Sequence, residues 1–147
     1  MYKHILVAVD GSPISNRALK EAIKLAQALQ AELRIVHVID EFAFSWDTEF
    51  AQMEATLVYI HEAGKRILEA ATKEARDMNI KVESKLLEIE TPDMRVGELI
   101  AQEAANVNAD LIVLGTHGRR GFSRLLLGSV AETVVRVAIP PVLLVRE

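Results

Sequence analysis

The 147-residue chain has no cysteine, a single tryptophan, four prolines and only 5% aromatic residues. Without cysteine there are no disulfides, no thiolate metal sites and no cysteine nucleophile. An excess of positive charge is also missing. Seventeen Lys and Arg face 21 Asp and Glu, for a net charge of −4, which gives no electrostatic reason to expect nucleic acid or an anionic membrane as partner. The first apolar run, Ile5–Val9, is ended by Asp10 and is too short for a signal-peptide core or a membrane span. A cytoplasmic protein is expected. With 50% hydrophobic and 26% charged residues, the chain is globular in composition. Its length suits one domain, 1–147, burying roughly 70% of its unfolded surface.

Three apolar runs read as strands covered on both faces: Ile5–Val9, Leu111–Leu114 and Val142–Val145. They are built from Val, Ile, Leu and Ala without polar alternation, as buried parallel strands are. Leu33–Ile39 and Lys81–Leu87 are weaker candidates, and the alternation of Val82, Ser84 and Leu86 puts the latter at a sheet edge. Between the strands the period becomes helical. Asn16–Leu29 follows an N-cap and first-turn proline at Ser12-Pro13. Met53–Met78 carries Leu57, Ile60, Gly64, Ile67, Ala71, Ala75 and Met78 in register. Met94–Val107 is opened by Thr91-Pro92-Asp93, and Ser129–Val137 stops before Pro140-Pro141.

Strict alternation of strand and helix predicts an α/β fold, a five-stranded parallel sheet between two helical layers. Such sheets bind ligands beyond the C-terminal strand ends, where the strand order reverses. Asp10-Gly11-Ser12 and the segment Gly115–Ser129, GTHGRRGFSRLLLGS, fall on that edge. The second segment has the spacing Gly-x-x-Gly, nine residues, Gly-Ser. Glycines admit positive φ and let a phosphate reach main-chain N–H groups. The helix starting at Ser129 offers free N–H groups and a positive dipole end. Arg119, Arg120 and Arg124 add charge within the loop. Ser129-Val130-Ala131-Glu132 also reads as a capping box, so Gly128 and Ser129 are expected on the phosphates with Glu132 turned away.

These segments resemble the universal stress protein family, in its ATP-binding branch. The resemblance runs nearly end to end, through HILVAVDGS, LRIVHVID, LIVLGTHG and LLLGSVAETVVRVAIPPVLLV. It implies a Rossmann-like sheet of order 3-2-1-4-5 and a homodimer formed through the last strand, Val142–Val145. It also implies ATP, or AMP or ADP, with Mg²⁺ held mainly by the nucleotide phosphates. Carried over by position, Ala8, Val9 and Asp10 line the adenosine side, with Ser12 beside them and Asp10 near the ribose or a metal-bound water. Val38 meets adenine largely through its backbone. Gly115, His117, Gly118 and Arg119 follow the ribose and phosphates, and Gly128, Ser129 and Val130 close the phosphate end. Where the family often has Gly-x-Pro, this chain has Glu90-Thr91-Pro92, so an altered rim is expected there.

His4, His37 and His61 are scattered and lack the spacing of metal ligands; satisfied structural roles are expected. The segment Phe42–Phe50 holds three of the four phenylalanines and the tryptophan. A loop packing its own aromatics, a lid over adenine and a partner contact are its three readings. For catalysis, no Gly-Lys-[Ser/Thr] follows the glycines, and neither a Ser-Gly-Gly pyrophosphatase loop, a paired acidic motif nor a Gly-x-Ser-x-Gly elbow occurs. The expected function is a nucleotide-dependent stress-response module, not an enzyme. The alternatives are a slow ATPase or autophosphorylating phosphotransferase, and a dimeric stress protein that binds no nucleotide.

Overall fold

The structure, a computed structural model, describes residues 1–43, 49–117 and 126–147. In chain order the elements are β1 (His4–Ala8), α1 (Pro13–Leu29), β2 (Glu32–Ile39), α2 (Phe50–Asp77), β3 (Val82–Glu88), α3 (Val96–Asn106), β4 (Leu111–Gly115), α4 (Ser129–Val137) and β5 (Val142–Val145). A 3-10 turn, Glu41–Ala43, follows β2. The strands form one sheet in the order β3-β2-β1-β4-β5, and every pairing is parallel. The parallel α/β architecture and the edge position of β3 agree with the periodicity, and the strand order agrees with what the family resemblance implied.

The run Ile5-Leu6-Val7 is fully buried because β1 is the central strand and successive side chains enter opposite layers. Ile5 and Val7 pack with α1 and α2, while Leu6 packs with α3 and α4. Val9 was expected to close β1. Its N–H still bonds Val36 C=O at 2.9 Å, but the strand pairing stops at Ala8. Helix α1 begins at Pro13 with Ser12 as its N-cap, as the Ser12-Pro13 signal predicts; Ser12 Oγ accepts from Ser15 N–H at 3.2 Å.

Helix α2 begins at Phe50, earlier than Met53, and no residue before Gly64 is buried. At 1.5 Å per residue it is about 42 Å long, whereas β2, its neighbour, spans roughly 27 Å. Only the C-terminal half can therefore be covered by the sheet. The apolar stripe shifts accordingly: Gly64, Leu68, Ala71, Thr72 and Ala75 are buried, Leu57, Ile60 and Ile67 are half-buried, and Met78 is exposed. Phe50, expected in the aromatic loop, heads this helix and is 76% exposed. Residues 44–48, the rest of the aromatic segment, lie outside the described residues.

Helix α3, by contrast, starts later than expected. Met94 N–H closes a turn on Thr91 C=O at 3.2 Å, and Glu98 accepts the Arg95 N–H at 3.2 Å. Thr91-Pro92-Asp93 is therefore a turn before the helix, not its cap. Behind α3 lies a charged cluster that the sequence pattern did not single out. Glu103, only 3% exposed, accepts from Arg34 Nη2 at 2.7 Å and from Lys85 Nζ at 3.3 Å. Arg34 also reaches Glu83 at 2.9 Å.

Removing one member of a buried pair strands the other. Glu103→Ala is expected to cost about 3 kcal/mol, lowering Tm by roughly 6–12 °C for a domain of this size. Thermal denaturation checks this. The double replacement Arg34→Met/Glu103→Leu, which removes both charges, should recover most of the loss; equal losses in both variants would contradict the pairing argument.

Candidate functional site

The strand order reverses between β1 and β4, so the chain leaves β1 for one helical layer and β4 for the other; in parallel α/β sheets this switch point, at the C-terminal strand ends, is where ligands bind. The β1 exit is a tight turn. Gly11 takes φ 81°, a conformation suited to glycine. Asp10 Oδ1 accepts Ser12 N–H at 2.8 Å, and Asp10 N–H donates to Ser15 Oγ at 2.9 Å. Asp10 thus builds the turn that leads into α1, and Ser12 is buried with its oxygen committed to the helix cap.

Gly115 and Gly128 do not take the positive φ that was one of the two uses their spacing suggested. Among the described glycines only Gly11 has positive φ. A Cβ on Gly115 would lie 2.6 Å from Ile14 Cγ2, and one on Gly128 would lie 3.0 Å from Thr116 O and 3.3 Å from His117 Cα. Gly115 lets the first turn of α1 pack against the end of β4. Gly128 lets the far end of the loop return to its beginning, where its N–H bonds Thr116 C=O at 2.7 Å. Gly118, Arg119, Arg120 and Arg124 lie outside the described residues.

The capping box expected at Ser129 does not form. Gly128 is the N-cap residue, no side chain caps α4 among the described residues, and Glu132 N–H is used by the helix bond to Gly128 C=O at 2.9 Å. Ser129 is therefore the first helical residue, and no side chain among the described residues caps the leading N–H groups of α4. This removes the conflict between capping and anion binding that the sequence posed.

The side chains of Val9, Val38 and Val130 turn into the cores. Val9 belongs to the core beneath α1 and α2, while Val38 and Val130, like Ala8, pack on the opposite core. His117 Nδ1 lies 3.0 Å from Thr116 Oγ1, and its Nε2 is buried without a hydrogen-bond partner among the described residues. The other histidines are engaged elsewhere: His37 Nδ1 with Val9 C=O at 2.7 Å, His61 with Glu41 at 2.7 Å and Glu88 at 3.5 Å, and His4 with Glu32 at 3.8 Å. No group of three or more His, Asp or Glu among the described residues is arranged to hold a metal ion. Nor is any described helix long and apolar enough to cross a membrane.

A cavity of about 170 Å³ lies at the opposite end of the strands, lined among others by His4, Glu32, Arg34, Lys81 and Glu83. Its charges pair with one another. Lys81 donates to Glu32, which holds that carboxyl below and the ammonium above their ordinary ranges. The C-terminal edge is the better candidate. Sequence reasoning missed Ile14, Ser15 and Thr116 there, because their parts are set by tertiary neighbours and no motif marks them.

The fold defines a Rossmann-like α/β protein whose strand switch point lies between the ends of β1 and β4. The chain belongs to the universal stress protein family, whose model, described as Universal stress protein family, matches residues 1–146. A universal stress protein of Methanocaldococcus jannaschii is 35% identical over 147 residues, covering 100% of this chain and 84% of that one. A solved family member from Burkholderia pseudomallei is 33% identical with TM-score 0.79, covering 98% of this chain and 96% of its own. Two further solved members are each 26% identical. One, in complex with cAMP, has TM-score 0.69 and covers 99% of this chain and 97% of its own. The other, from Archaeoglobus fulgidus in complex with dAMP, has TM-score 0.66 and covers 98% of each chain.

The Gly115–Ile14 contact is testable without a ligand. Gly115→Ala is expected to cost about 2 kcal/mol through overpacking. Ile14→Ala, which deletes the clashing Cγ2, should make the alanine at 115 tolerable. A double-mutant cycle read by denaturant unfolding should give a favourable coupling of about 1 kcal/mol or more; strict additivity would contradict the contact.

Proposed function

We propose that this universal stress protein is a single-domain, cytoplasmic nucleotide-binding module that takes ATP, AMP or ADP at the C-terminal edge of its sheet. The observation that carries the reading is the start of α4: an N-terminus that no side chain among the described residues caps, held by Gly128 against the end of β4. Backbone donors converging at a helix start form an anion site. The relatives bound to cAMP and dAMP support an adenine nucleotide as the anion. In this reading Ala8, Val9, Asp10, Ser12 and Val38 take the nucleoside. Gly115, His117, Gly118 and Arg119 follow it to the phosphates, and Gly128, Ser129 and Val130 hold the phosphate end. Mg²⁺ is held mainly by the phosphates and supplies charge neutralisation.

Edge strand β5 supports the proposed homodimer. Leu143 is 39% exposed on it, and Val135, Val137 and Ile139 nearby are exposed as well. An unpaired apolar edge is a template for a second strand. Leu143→Glu should yield monomers by sedimentation equilibrium; an unchanged dimer would move the interface elsewhere, and a monomeric wild type would end the dimer proposal.

Binding to the folded state alone adds about 2.7 kcal/mol at a ligand concentration of 100 Kd. Mg·ATP or AMP should therefore raise Tm by several degrees, and Gly128→Val should abolish the rise. Nucleotide released on denaturing the purified protein would agree. No shift with either nucleotide at millimolar concentration would sink the reading. Single-turnover ADP formation above the Gly128→Val background would instead place the protein among slow ATPases.

A further inference from the structure

The β1–β2 ladder ends irregularly. In a parallel pair, a residue that donates its N–H to one carbonyl accepts through its own C=O from the N–H two positions further along the partner. The register Ile5↔Leu33, Val7↔Ile35 follows this scheme, and Val9 N–H extends it by bonding Val36 C=O at 2.9 Å. The matching rung, Val38 N–H to Val9 C=O, is absent, because pairing stops at Ala8↔Val36. The Val9 carbonyl is instead taken by the side chain of His37, whose Nδ1 lies 2.7 Å away. A carbonyl only accepts, so Nδ1 carries the hydrogen.

His37 is fixed where it does this. It is 7% exposed and shares its face of β2 with Leu33, Ile35 and Ile39. Gly64 of α2 closes over the ring: a Cβ there would lie 2.9 Å from His37 Cδ2 and 3.2 Å from Nε2. A leucine would fill such a place without the desolvation cost of an imidazole. What the imidazole adds is a donor that holds the Val9 carbonyl away from the ladder.

The consequence falls on Val38. Val36 C=O faces β1, and alternate residues of a parallel strand direct both main-chain groups to the same side. Val38 N–H and C=O therefore face the gap left where β1 ends and the chain turns at Asp10-Gly11. The Val38 side chain is occupied in the opposite core. One donor and one acceptor side by side match the Watson–Crick edge of adenine, which offers N1 as acceptor and the N6 amine as donor. Guanine offers the reverse.

Resting on the nucleotide reading above, we propose that His37 is a positioning residue for base recognition: by taking the Val9 carbonyl, it keeps Val38 N–H and C=O open to adenine. Amide hydrogen exchange on the ligand-free wild type tests the open rung without any nucleotide. Val38 N–H should exchange at least about tenfold faster than Val36 N–H, which is inside the ladder. In His37→Leu the Val9 carbonyl should return to the ladder. Val38 should then become protected, and AMP affinity should fall about tenfold with loss of discrimination against GMP. His37→Asn, whose amide places a donor near the Nδ1 position, should retain both properties. Equal protection of Val36 and Val38 in the wild type would overturn the proposal, as would wild-type AMP affinity and discrimination in a folded His37→Leu. A wild type that binds no AMP would remove the nucleotide reading and the adenine half of the proposal, while the exchange rates would still decide the rung.

Discussion

Gly115 has no room for a side chain because Ile14 occupies it, and the organisation of the ligand edge follows from that contact. It brings the first turn of α1 against the last residue of β4, so that two exits from the sheet lie side by side. Gly128 repeats the device one loop later, seating the start of α4 on Thr116 and His117. Two helices thus begin beside the end of β4. One is capped by its own Ser12; the other has no side-chain cap among the described residues. The difference is chemical: a capped terminus has spent its donors, while an uncapped one can offer them to an anion.

The two buried polar clusters make a similar contrast. Glu103 with Arg34 and Lys85 ties α3 to β2 and β3 in the body of the sheet, and its charges are consumed by one another. His37 lies on the other face of β2, at the point where β1 stops pairing. The first cluster belongs to the stability of the layers. The second acts on main chain that is already at the edge, which is why a buried side chain there can govern what the edge binds.

Much of the framework was legible in the sequence, because burial on both faces writes an unbroken apolar strand. Ile5–Val9 and Leu111–Leu114 carry that signature, and the alternation at Val82, Ser84 and Leu86 placed β3 at an edge; Val142–Val145 carries it too, yet β5 is an edge strand with no buried residue and Leu143 exposed. Ser12-Pro13 marked the start of α1 because a cap is a local interaction. The errors arose where a local signal had a competitor. Thr91-Pro92-Asp93 has the composition of a helix start, yet Glu98 takes the Arg95 N–H and the helix begins later. Ser129-Val130-Ala131-Glu132 has the spacing of a capping box, but Gly128 is the cap residue. The spacing of the loop glycines implied positive φ as well as access for phosphate, and the first is absent at Gly115 and Gly128. Gly115 and Gly128 are set instead by neighbours distant in sequence. His37 was read as a satisfied structural histidine, and nothing in the local pattern names the carbonyl it meets.

The central claim is that this family member holds an adenine nucleotide at the C-terminal edge, between the β1 turn and the start of α4. An amide chemical-shift titration of the isotope-labelled protein with AMP tests it most directly. The account predicts shifts concentrated at Asp10–Ser12, Val38, Gly115–His117 and Gly128–Val130, with saturation. Unmoved amides there, or shifts gathered around His4, Glu32 and Lys81 at the opposite end, would contradict it.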